Sequence, residues 1–396
     1  MRLRGRGPVC GGLRPRLCRS LSQFALCGSL ASRGSSAGRS QCRGIAHCPS
    51  GTLLIGGPVE HLTVPEDRVG LELDEFLCLI YPFVNKGFLR TQVREGAVLV
   101  DGAPAKPSHH LRGSEVVSVC FSEADLPRKP VAPGEAVEIL YEDASVLVAN
   151  KPPGLAVEPE RWHRDEGCLS GALLQDASER SDLEGDTMLR FRPRLVHRID
   201  KDTSGALLVA KDLEAERTLR AAFDSGGIQK EYLALVEGES PLTDGKWDEI
   251  NAAIGPDPRK LGRMLVDEQG GKPSCTRIKV EQRFEGYTLM RCQPVTGRTH
   301  QIRVHLSWAG FPMMVDPLYG RRGELLLSEI KRNYRPKRGT SERPLMDRLT
   351  LHAHSIAWID PLDGKTPRRA EAPLPADFSR LLKQLSRVRP PREWRS

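Results

Sequence analysis

The chain has 396 residues, 39% of them hydrophobic, which is enough for two or three domains with buried cores. No apolar run approaches 18 residues, so a membrane span is not expected. The formal net charge is +8, but residues 1–59 hold nine arginines and no acid, and the remaining 50 basic and 51 acidic residues nearly cancel. The body of the protein is thus almost neutral, and net charge alone does not identify a nucleic-acid partner.

Residues 1–58 form an arginine- and serine-rich leader without acids. This composition is typical of an organellar transit peptide, so we expect import into the mitochondrion, with the plastid as the alternative. A disordered basic tail that tethers the protein to RNA remains open, because the prediction depends on composition alone.

The cysteines do not predict a metal site. Five of the ten lie in the leader, and the other five are scattered without a C-x-x-C pair. Neither a zinc site nor a disulfide framework is therefore predicted, and we expect burial as small apolar residues for Cys78, Cys120, Cys168, Cys275 and Cys292.

Residues 66–121 are predicted to form a small α+β domain. A helical stripe over 71–80 and a second helix over 88–93 precede strands at 97–100 and 116–119, with a turn at Asp101-Gly102. The order resembles the S-four RNA-binding module, named for a ribosomal protein, and this resemblance implies RNA contacts by Lys86 and Arg90. Lys86 stands near a position where that family commonly has arginine, which predicts a weaker grip on RNA. A small domain without a ligand remains the alternative.

The rest of the chain is predicted to be a proline-rich linker over 122–136, a catalytic domain over 137–385 and a basic tail over 386–396. Asp212 is a candidate N-cap for a helix over 213–223. Short strands with few long helices favour an α+β fold over a doubly wound parallel sheet, and the predicted strands cover 137–141, 146–149, 231–236, 276–281 and 287–292.

The most informative segment, residues 194–205, reads R-L-V-H-R-I-D-K-D-T-S-G and leads into an apolar strand at 206–210. An acid next to an arginine, on a tight loop before a buried strand, is how a fold presents one reactive carboxylate. Asp200 is therefore the candidate catalytic residue.

Several motifs in one order resemble the RluA-type pseudouridine synthases. They are Y-E-D at 141–143, N-K-P-P-G-L at 150–155, H-R-I-D at 197–200, K-E-Y-L-A at 230–234, G-R-T-H-Q-I-R-V-H at 297–305, D-P-L-Y-G at 316–320, L-H-A at 351–353 and A-P-L-P at 372–375. The resemblance implies a pseudouridine-synthase domain with a mixed, largely antiparallel sheet. It also implies conversion of uridine to pseudouridine in RNA without a cofactor.

The resemblance assigns roles to particular residues. Asp200 is the reacting carboxylate, Arg303 the cation paired with it, and Tyr232 the ring that stacks on the base and takes the sugar proton. Arg198 is expected to fill the space left by the flipped nucleotide, although a plain phosphate contact remains open. Further RNA contacts are expected from Arg298 and His300.

Arg303 lies in a predicted helix. Thr299 is its candidate N-cap, an apolar stripe runs from Ile302 to Ala309, and Gly310 marks the end. A structural ion pair for Arg303, and simple packing for Tyr232, are the alternatives that each residue alone would leave open.

Rival motifs fail on their context. D-T-S-G at 202–205 has no second copy, as an aspartic protease requires. G-K-T at 364–366 lacks the upstream glycine of a P-loop, and His300 and His305 miss the i, i+4 spacing of a metal pair. The chain also departs from the family by Met314-Val315 before Asp316 and by Glu158 where histidine is frequent.

A basic strip follows the D-P-L-Y-G motif, over residues 321–343, and either contacts phosphate or forms a solvated loop. We expect a monomer that acts on structured organellar RNA, with ribosomal RNA favoured over transfer or messenger RNA. The second hypothesis is an RNA-binding ribosome-assembly factor of the same fold that has lost its activity. It is less favoured because Asp200, Tyr232 and Arg303 are all present.

Overall fold

The computed structural model describes residues 40–42, 59–121, 136–159, 167–186, 188–336 and 339–391. The predicted transit peptide and linker lie outside the described residues, apart from the strand Ser40–Cys42 and residue 136. The last five residues of the predicted basic tail also lie outside. In the part of the chain that is described, no helix is both long and apolar enough to span a membrane.

The N-terminal part of the described chain is an antiparallel sheet of five strands with two helices. The strands pair in the order β1-β2-β5-β3-β4 and are β1 (Ser40–Cys42), β2 (Val59–Thr63), β3 (Val98–Val100), β4 (Ala103–Pro104) and β5 (Val116–Val119). Helices α1 (Leu73–Ile80) and α2 (Lys86–Arg94) precede β3, as predicted. Phe76, Leu89 and Val117 are fully buried in its core, so the region has an apolar centre of its own.

The larger sheet has ten strands among the described residues. The remaining strands in chain order are β6 (Ile139–Glu142), β7 (Val146–Lys151), β8 (Arg194–Leu195), β9 (Ser204–Ala210), β10 (Gln229–Glu237), β11 (Asp248–Asn251), β12 (Ile254–Pro256), β13 (Met264–Val266), β14 (Cys275–Phe284), β15 (Tyr287–Pro294), β16 (Leu351–Ile359) and β17 (Pro367–Glu371). The sheet order is β11-β14-β15-β10-β16-β9-β7-β6, with β17 on β16 and β8 on β9, while β12 and β13 form a separate hairpin. The pair β16 and β9 is parallel and the other pairs are antiparallel. The predicted α+β fold with a mixed, largely antiparallel sheet is therefore confirmed.

Five further helices accompany this sheet in the described chain. They are α3 (Leu169–Leu183), α4 (Leu213–Asp224), α5 (Gln301–Trp308), α6 (Leu327–Ile330) and α7 (Ala376–Val388). The predicted N-cap of α4 is confirmed, because the Asp212 carboxylate accepts a hydrogen bond from the Ala215 amide at 2.8 Å. Helices α3 and α7 were not predicted, and α7 includes the first residues of the predicted basic tail.

The two faces of β10 pack against different helices. Ala234 and Val236 share a core with Ile302 and Leu306 of α5, whereas the alternate residues Leu233 and Leu235 pack with α7. This alternation is the period of two that a strand covered on both sides shows. It places Tyr232 on the same face of the sheet as α5.

The smaller sheet's helix α1 packs on the larger domain through apolar and charged contacts. Leu79 joins a buried cluster with Leu174 and Leu189, and the Leu189 amide donates to the Leu79 carbonyl at 2.9 Å. Glu75 accepts a hydrogen bond from Arg194 of β8. The helical part of the predicted RNA-binding domain is thereby held against the larger domain. The predicted domain boundaries themselves stay predictions.

The five cysteines after the leader differ in burial. Cys78, Cys168 and Cys292 are buried, as predicted, whereas Cys120 and Cys275 are half-buried. Within the described ranges, no group of three His, Cys, Asp or Glu is arranged to hold a metal ion.

Candidate active site

Asp200 lies on a turn between β8 and β9, and the Asp200 carbonyl accepts a hydrogen bond from the Thr203 amide at 3.1 Å. Strand β9 then pairs with β16 at Gly205, whose φ is +114°. A Cβ at Gly205 would lie 2.1 Å from the Ala353 carbonyl oxygen, so only glycine fits this close approach. This close contact between β9 and β16 fixes where β9 begins, and it thereby fixes the position of the turn that carries Asp200.

The Asp200 side chain is 25% exposed and lines a pocket of about 630 Å³. Tyr232 and Arg303 line the same pocket, as do Arg198, Arg298 and His300. The structure thus brings together six of the eight predicted site residues. Lys86 and Arg90 lie elsewhere.

Arg303 contacts Asp200 directly. Its Nη1 donates to Asp200 Oδ2 at 2.9 Å, and its Nε and Nη2 donate to the two carboxylate oxygens of Asp316 at 2.8 Å each. Burial opposes the charge of Arg303, but the hydrogen bonds and charges of Asp316 and Asp200 raise its pKa above the ordinary value. Arg303 is therefore a permanent cation that bridges two acids.

The helix that carries Arg303 begins later than the sequence predicts. The N-cap is His300 rather than Thr299, so the prediction of Thr299 was wrong. His300 adopts a left-handed conformation with φ of 55°, which turns the chain into α5 at Gln301. The helix ends at Trp308, and Gly310 follows with φ of 87°, as the predicted stop requires.

In the sequence, Asp316 stands out only as the first residue of the D-P-L-Y-G motif, and its contact with Arg303 was not predicted. Its side chain is fully buried, and its Oδ1 also accepts the backbone amides of Leu318 and Tyr319 at 2.9 and 3.1 Å. These bonds hold a buried carboxylate that fixes two of the three guanidinium nitrogens. The motif indicated that Asp316 is part of the family pattern, but the fold was needed to show that its partner is Arg303.

Tyr232 lies on β10 beside a register shift against β16 between Glu231 and Tyr232. It is 9% exposed. Burial, reinforced by the charge of Asp200, raises the pKa of Tyr232 well above its usual range. The side chain is therefore a neutral phenol at the wall of the pocket.

Two motif residues that were not predicted to be site residues hydrogen-bond to the backbone of the chain after Asp200. Lys151 is fully buried, and its Nζ donates to the carbonyls of Pro152, Leu155 and Lys201 at 2.7, 2.8 and 2.7 Å. His197 Nε2 accepts the Leu208 amide at 2.9 Å, and burial lowers the pKa of His197 to about 3. Sequence analysis missed both roles, because their partners are backbone atoms.

His305 has a structural environment. Its ring nitrogens lie 2.9 Å from Thr276 Oγ1 and 3.0 Å from the Ala252 carbonyl, and the residue is fully buried. It therefore joins α5 to β14 and to the chain beyond β11. The contacts of His305 are thus those of a structural residue.

Lys86 and Arg90, the predicted RNA contacts of the small domain, are engaged with acids of α1. Lys86 Nζ bonds Glu75 and lies 3.3 Å from Asp74, and Arg90 Nε donates to Asp74 at 2.6 Å. Asp74 and Glu75 are both buried. Lys86 and Arg90 thus neutralise buried acids, and their contact with RNA stays a prediction.

The basic strip over 321–343 is partly paired. Arg322 lies 2.9 Å from Glu237, and Arg321 lies 3.4 Å from the same side chain. Lys331, Arg335 and Arg343 are exposed, while residues 337 and 338 lie outside the described ranges. Contact between this strip and RNA also stays a prediction.

Comparison with known proteins identifies the family. The model of RNA pseudouridylate synthase matches residues 145–308. Ribosomal large subunit pseudouridine synthase D of Neisseria meningitidis serogroup B is 35% identical over 82% of this chain and 81% of its own length. Ribosomal large subunit pseudouridine synthase C of Escherichia coli K12 is 37% identical over 84% and 98%. The chain belongs to the RNA pseudouridylate synthase family.

The predicted RluA-type resemblance is thereby confirmed, and the protein is an RNA pseudouridine synthase, an isomerase. Among solved structures, Human RNA Pseudouridylate Synthase Domain Containing 1 is 25% identical, covers 66% of this chain and 100% of that chain, and has a TM-score of 0.42. The pocket around Asp200 is the candidate active site of this pseudouridine synthase.

Proposed function

We propose that this pseudouridine synthase isomerises uridine in ribosomal RNA of an organelle, with Asp200 as the reacting carboxylate. The observation that carries the proposal is the 2.9 Å hydrogen bond from Arg303 to Asp200 at the wall of a pocket shared with Tyr232. An ionised acid beside a permanent cation in a partly closed pocket is suited to act on a sugar or a base.

The reaction needs no redox step. The bond from the sugar C1′ to N1 of uracil breaks, a bond from C1′ to C5 forms, C5 loses a proton and N1 gains one. Asp200 initiates this exchange, and Arg303 keeps the carboxylate in place. The pocket of about 630 Å³ has room for a nucleotide, so the freed uracil can turn inside it.

Tyr232 has two proposed uses, stacking on the base and accepting the sugar proton. Its raised pKa means that the phenol carries its own proton, which weakens it as a base in the resting enzyme. The buried ring on β10 is well placed to stack. We therefore propose stacking as its main contribution.

Arg198 is exposed at the rim of the pocket, and Arg298 is also exposed there. A planar cation at the rim can fill the gap left by a flipped nucleotide or bind a phosphate beside it. Both positions suit a substrate that enters as a single everted nucleotide from a folded RNA.

The substrate class rests on the relatives, which are named ribosomal large subunit pseudouridine synthases. The organellar location rests on the leader, with nine arginines and no acid in residues 1–59. A full-length fusion to a fluorescent protein should co-localise with mitochondria or plastids, and a fusion that starts at residue 59 should not. Equal distribution of the two fusions would contradict the import proposal.

The catalytic proposal is tested with Asp200→Asn, which removes the charge but little contact surface. We expect turnover to fall by on the order of 10⁴-fold or more, with RNA affinity almost unchanged. Carbodiimide mapping and mass spectrometry of RNA from depleted and complemented cells would report the modified positions. Asp202→Asn, in an exposed acid two residues away, is the matched control and should keep its activity.

The assembly-factor hypothesis predicts a different result. In that case Asp200→Asn would support ribosome assembly fully, and depletion of the protein would remove no pseudouridine. Loss of specific pseudouridines on depletion, restored by the wild-type protein and not by Asp200→Asn, supports the enzyme.

A further inference from the structure

A chain of three hydrogen-bonding groups ends beside Asp200. The Met264 amide donates to the Tyr319 hydroxyl oxygen at 2.8 Å, and that hydroxyl lies 2.8 Å from His300 Nδ1. His300 Nε2, on the other edge of the ring, lies 4.0 Å from Asp200 Oδ2. The chain links the β12–β13 hairpin to the reacting acid.

The donor at each step follows from the chemistry. The Tyr319 oxygen already accepts the Met264 N–H, and a carboxylate lies beside His300 Nε2, so the arrangement that satisfies all three groups has the Tyr319 proton donated to His300 Nδ1. A neutral imidazole that accepts at Nδ1 carries its proton on Nε2. Burial lowers the pKa of His300, although the charge of Asp200 opposes this, and the neutral ring is consistent with the hydrogen-bond pattern. The N–H of His300 is therefore on the side of Asp200.

Tyr319 holds both groups that flank the carboxylate. The His300 ring packs edge-on against the Tyr319 ring at 5.5 Å and 74°. The Arg303 guanidinium carbon lies 5.0 Å from the centroid of the same ring. Tyr319 is 8% exposed, so this arrangement is fixed within the protein.

The backbone at His300 is also unusual. Its φ of 55° lies in the left-handed region, where asparagine and glycine are accommodated more easily than histidine. This turn sets the His300 ring at the start of α5, between Tyr319 and Asp200.

We propose that His300 is a positioning residue for Asp200. When the nucleotide occupies the pocket, His300 Nε2 donates a second hydrogen bond to Oδ2, beside the bond from Arg303. Among the described residues the polar contacts of this carboxylate fall on Oδ2, so Oδ1 is the oxygen that acts on the nucleotide. The inference rests on the proposed catalytic role of Asp200, and it replaces the predicted RNA contact of His300 with a role at the acid.

The test uses the full-length protein and a structured RNA that it modifies, with single-turnover rates and RNA dissociation constants measured separately. His300→Ala and His300→Asn should each lower the rate about 10- to 100-fold, because a hydrogen bond to a charged group is lost. RNA binding should stay within about twofold. His300→Gln, which can place a donor near the position of Nε2, should recover most of the rate.

His300→Asn separates positioning from folding. Asparagine suits the left-handed backbone, so this variant should unfold at a temperature no lower than the wild type. A purely structural role would leave His300→Asn active, whereas the proposal requires a slow enzyme that is stably folded. Equal rates for His300→Asn and His300→Gln, or a loss confined to RNA binding, would overturn it.

Tyr319→Phe tests the chain of hydrogen bonds. It keeps the ring but removes the proton donated to Nδ1, so its rate should also fall, and the double variant with His300→Ala should be no slower than His300→Ala alone. Additive losses would show that Tyr319 does not act through His300. His354→Gln, in a half-buried histidine of β16 outside the pocket, is the control and should be unaffected.

Failure of this inference is distinct from failure of the proposed function. If Asp200→Asn keeps its activity, the catalytic proposal is wrong and the role of His300 falls with it. If Asp200→Asn is inactive and His300→Ala matches the wild type, only the positioning role is wrong.

Discussion

Arg303 and Arg291 are bound by acids in the same way. Arg291 donates through Nε and Nη2 to Glu281 at 2.9 and 3.0 Å and through Nη1 to Glu231 at 2.8 Å. Arg303 makes the same bidentate contact with Asp316 and the same single contact with Asp200. The hydrogen-bond pattern around the arginine therefore does not distinguish an active site from a structural ion pair.

The acids at the end of each network differ. Glu231 is also bound by Gln293 at 2.8 Å and by Arg369 at 3.2 Å, on the face of β10 opposite to Tyr232. Asp200 has Arg303 as its close partner in the described chain and lines the pocket. Asp200 therefore accepts fewer hydrogen bonds from its neighbours than Glu231 does, and it lies beside a cavity. This combination marks the reactive site.

Of the substitutions that test this comparison, Arg303→Lys is expected to have the largest effect, and Arg291→Lys is its matched control. Arg303→Lys keeps the charge but loses the planar fork, so one of the two acids loses its partner, and turnover should fall on the order of 10²-fold or more. Arg291→Lys breaks the same pattern outside the pocket and should leave turnover nearly unchanged. Single-turnover rates at saturating enzyme would measure both.

Equal losses in the two lysine variants would contradict the comparison, because the effect would then be one of general stability. Thermal unfolding of both proteins provides the check. Arg303→Lys should also lose about 1–3 kcal/mol of stability, because Asp316 is fully buried and loses part of its hydrogen bonding.

The two networks differ too in what holds the backbone of the acid. Glu231 lies within strand β10, whereas the turn after Asp200 is tied by buried Lys151 through the Lys201 carbonyl. Burial lowers the pKa of Lys151 to about 7, although the charges of Asp202 and Asp200 oppose it. In the unfolded chain a lysine titrates near 10.4.

This shift predicts a pH dependence with a defined sign. Between the two pKa values the unfolded chain binds more protons than the folded one, so stability rises as pH rises through this window. Relative to Lys151→Met, the wild type should gain roughly 2 kcal/mol in free energy of unfolding between pH 7 and pH 9, at about 1.4 kcal/mol per unit. Urea unfolding of both proteins at each pH measures it. A constant difference would mean that the three carbonyls keep Lys151 charged throughout.

The sequence predicted the pairing of Asp200 with Arg303 across 103 residues, because both positions fall in motifs whose resemblance assigns them roles. It could not predict Asp316 as the second partner, since that contact depends on how the chain after α5 returns to the helix. The bonds of Lys151 were also hidden, because backbone carbonyls have no sequence signature.

Secondary structure was predicted best where apolar periodicity or a cap was clear, as in β9 and α4. Helix α3 was missed because its buried set includes Gly171 and Ser181, so the apolar stripe is interrupted. Thr299 was the wrong N-cap because a threonine signal precedes the helix but the left-handed turn falls on His300.

A third arginine extends the comparison to the contact between the small domain and the catalytic sheet. Arg194 of β8 bonds Glu75 of α1 and donates to Glu216 of α4 at 3.0 Å. Glu75 is also bound by Lys86, so both of these partners are cations. The Glu75 side chain is 4% exposed. Burial alone would raise the pKa of Glu75, but Lys86 and Arg194 lower it below its ordinary value. Like Glu231, Glu75 is bound by more than one partner. We therefore expect it to hold the small domain against the larger one.

Glu75→Gln should therefore act on docking, with the smallest effect on chemistry. It removes the charge that Lys86 and Arg194 share and leaves these partly buried cations with Asp74 and Glu216, so the contact should weaken by about 1–3 kcal/mol. Hydrogen exchange should rise at the Leu189 amide, which donates to the Leu79 carbonyl. The rate at which the enzyme modifies bound RNA should stay within about twofold of the wild type. Arg90→Ala removes a partner of Asp74 within the small domain and is the control, because it should leave hydrogen exchange at the Leu189 amide unchanged. The contrary result is that Glu75→Gln slows the chemical step as much as Arg303→Lys does. An acid bound by several partners would then be as important to catalysis as Asp200, and the distinction between the networks would fail.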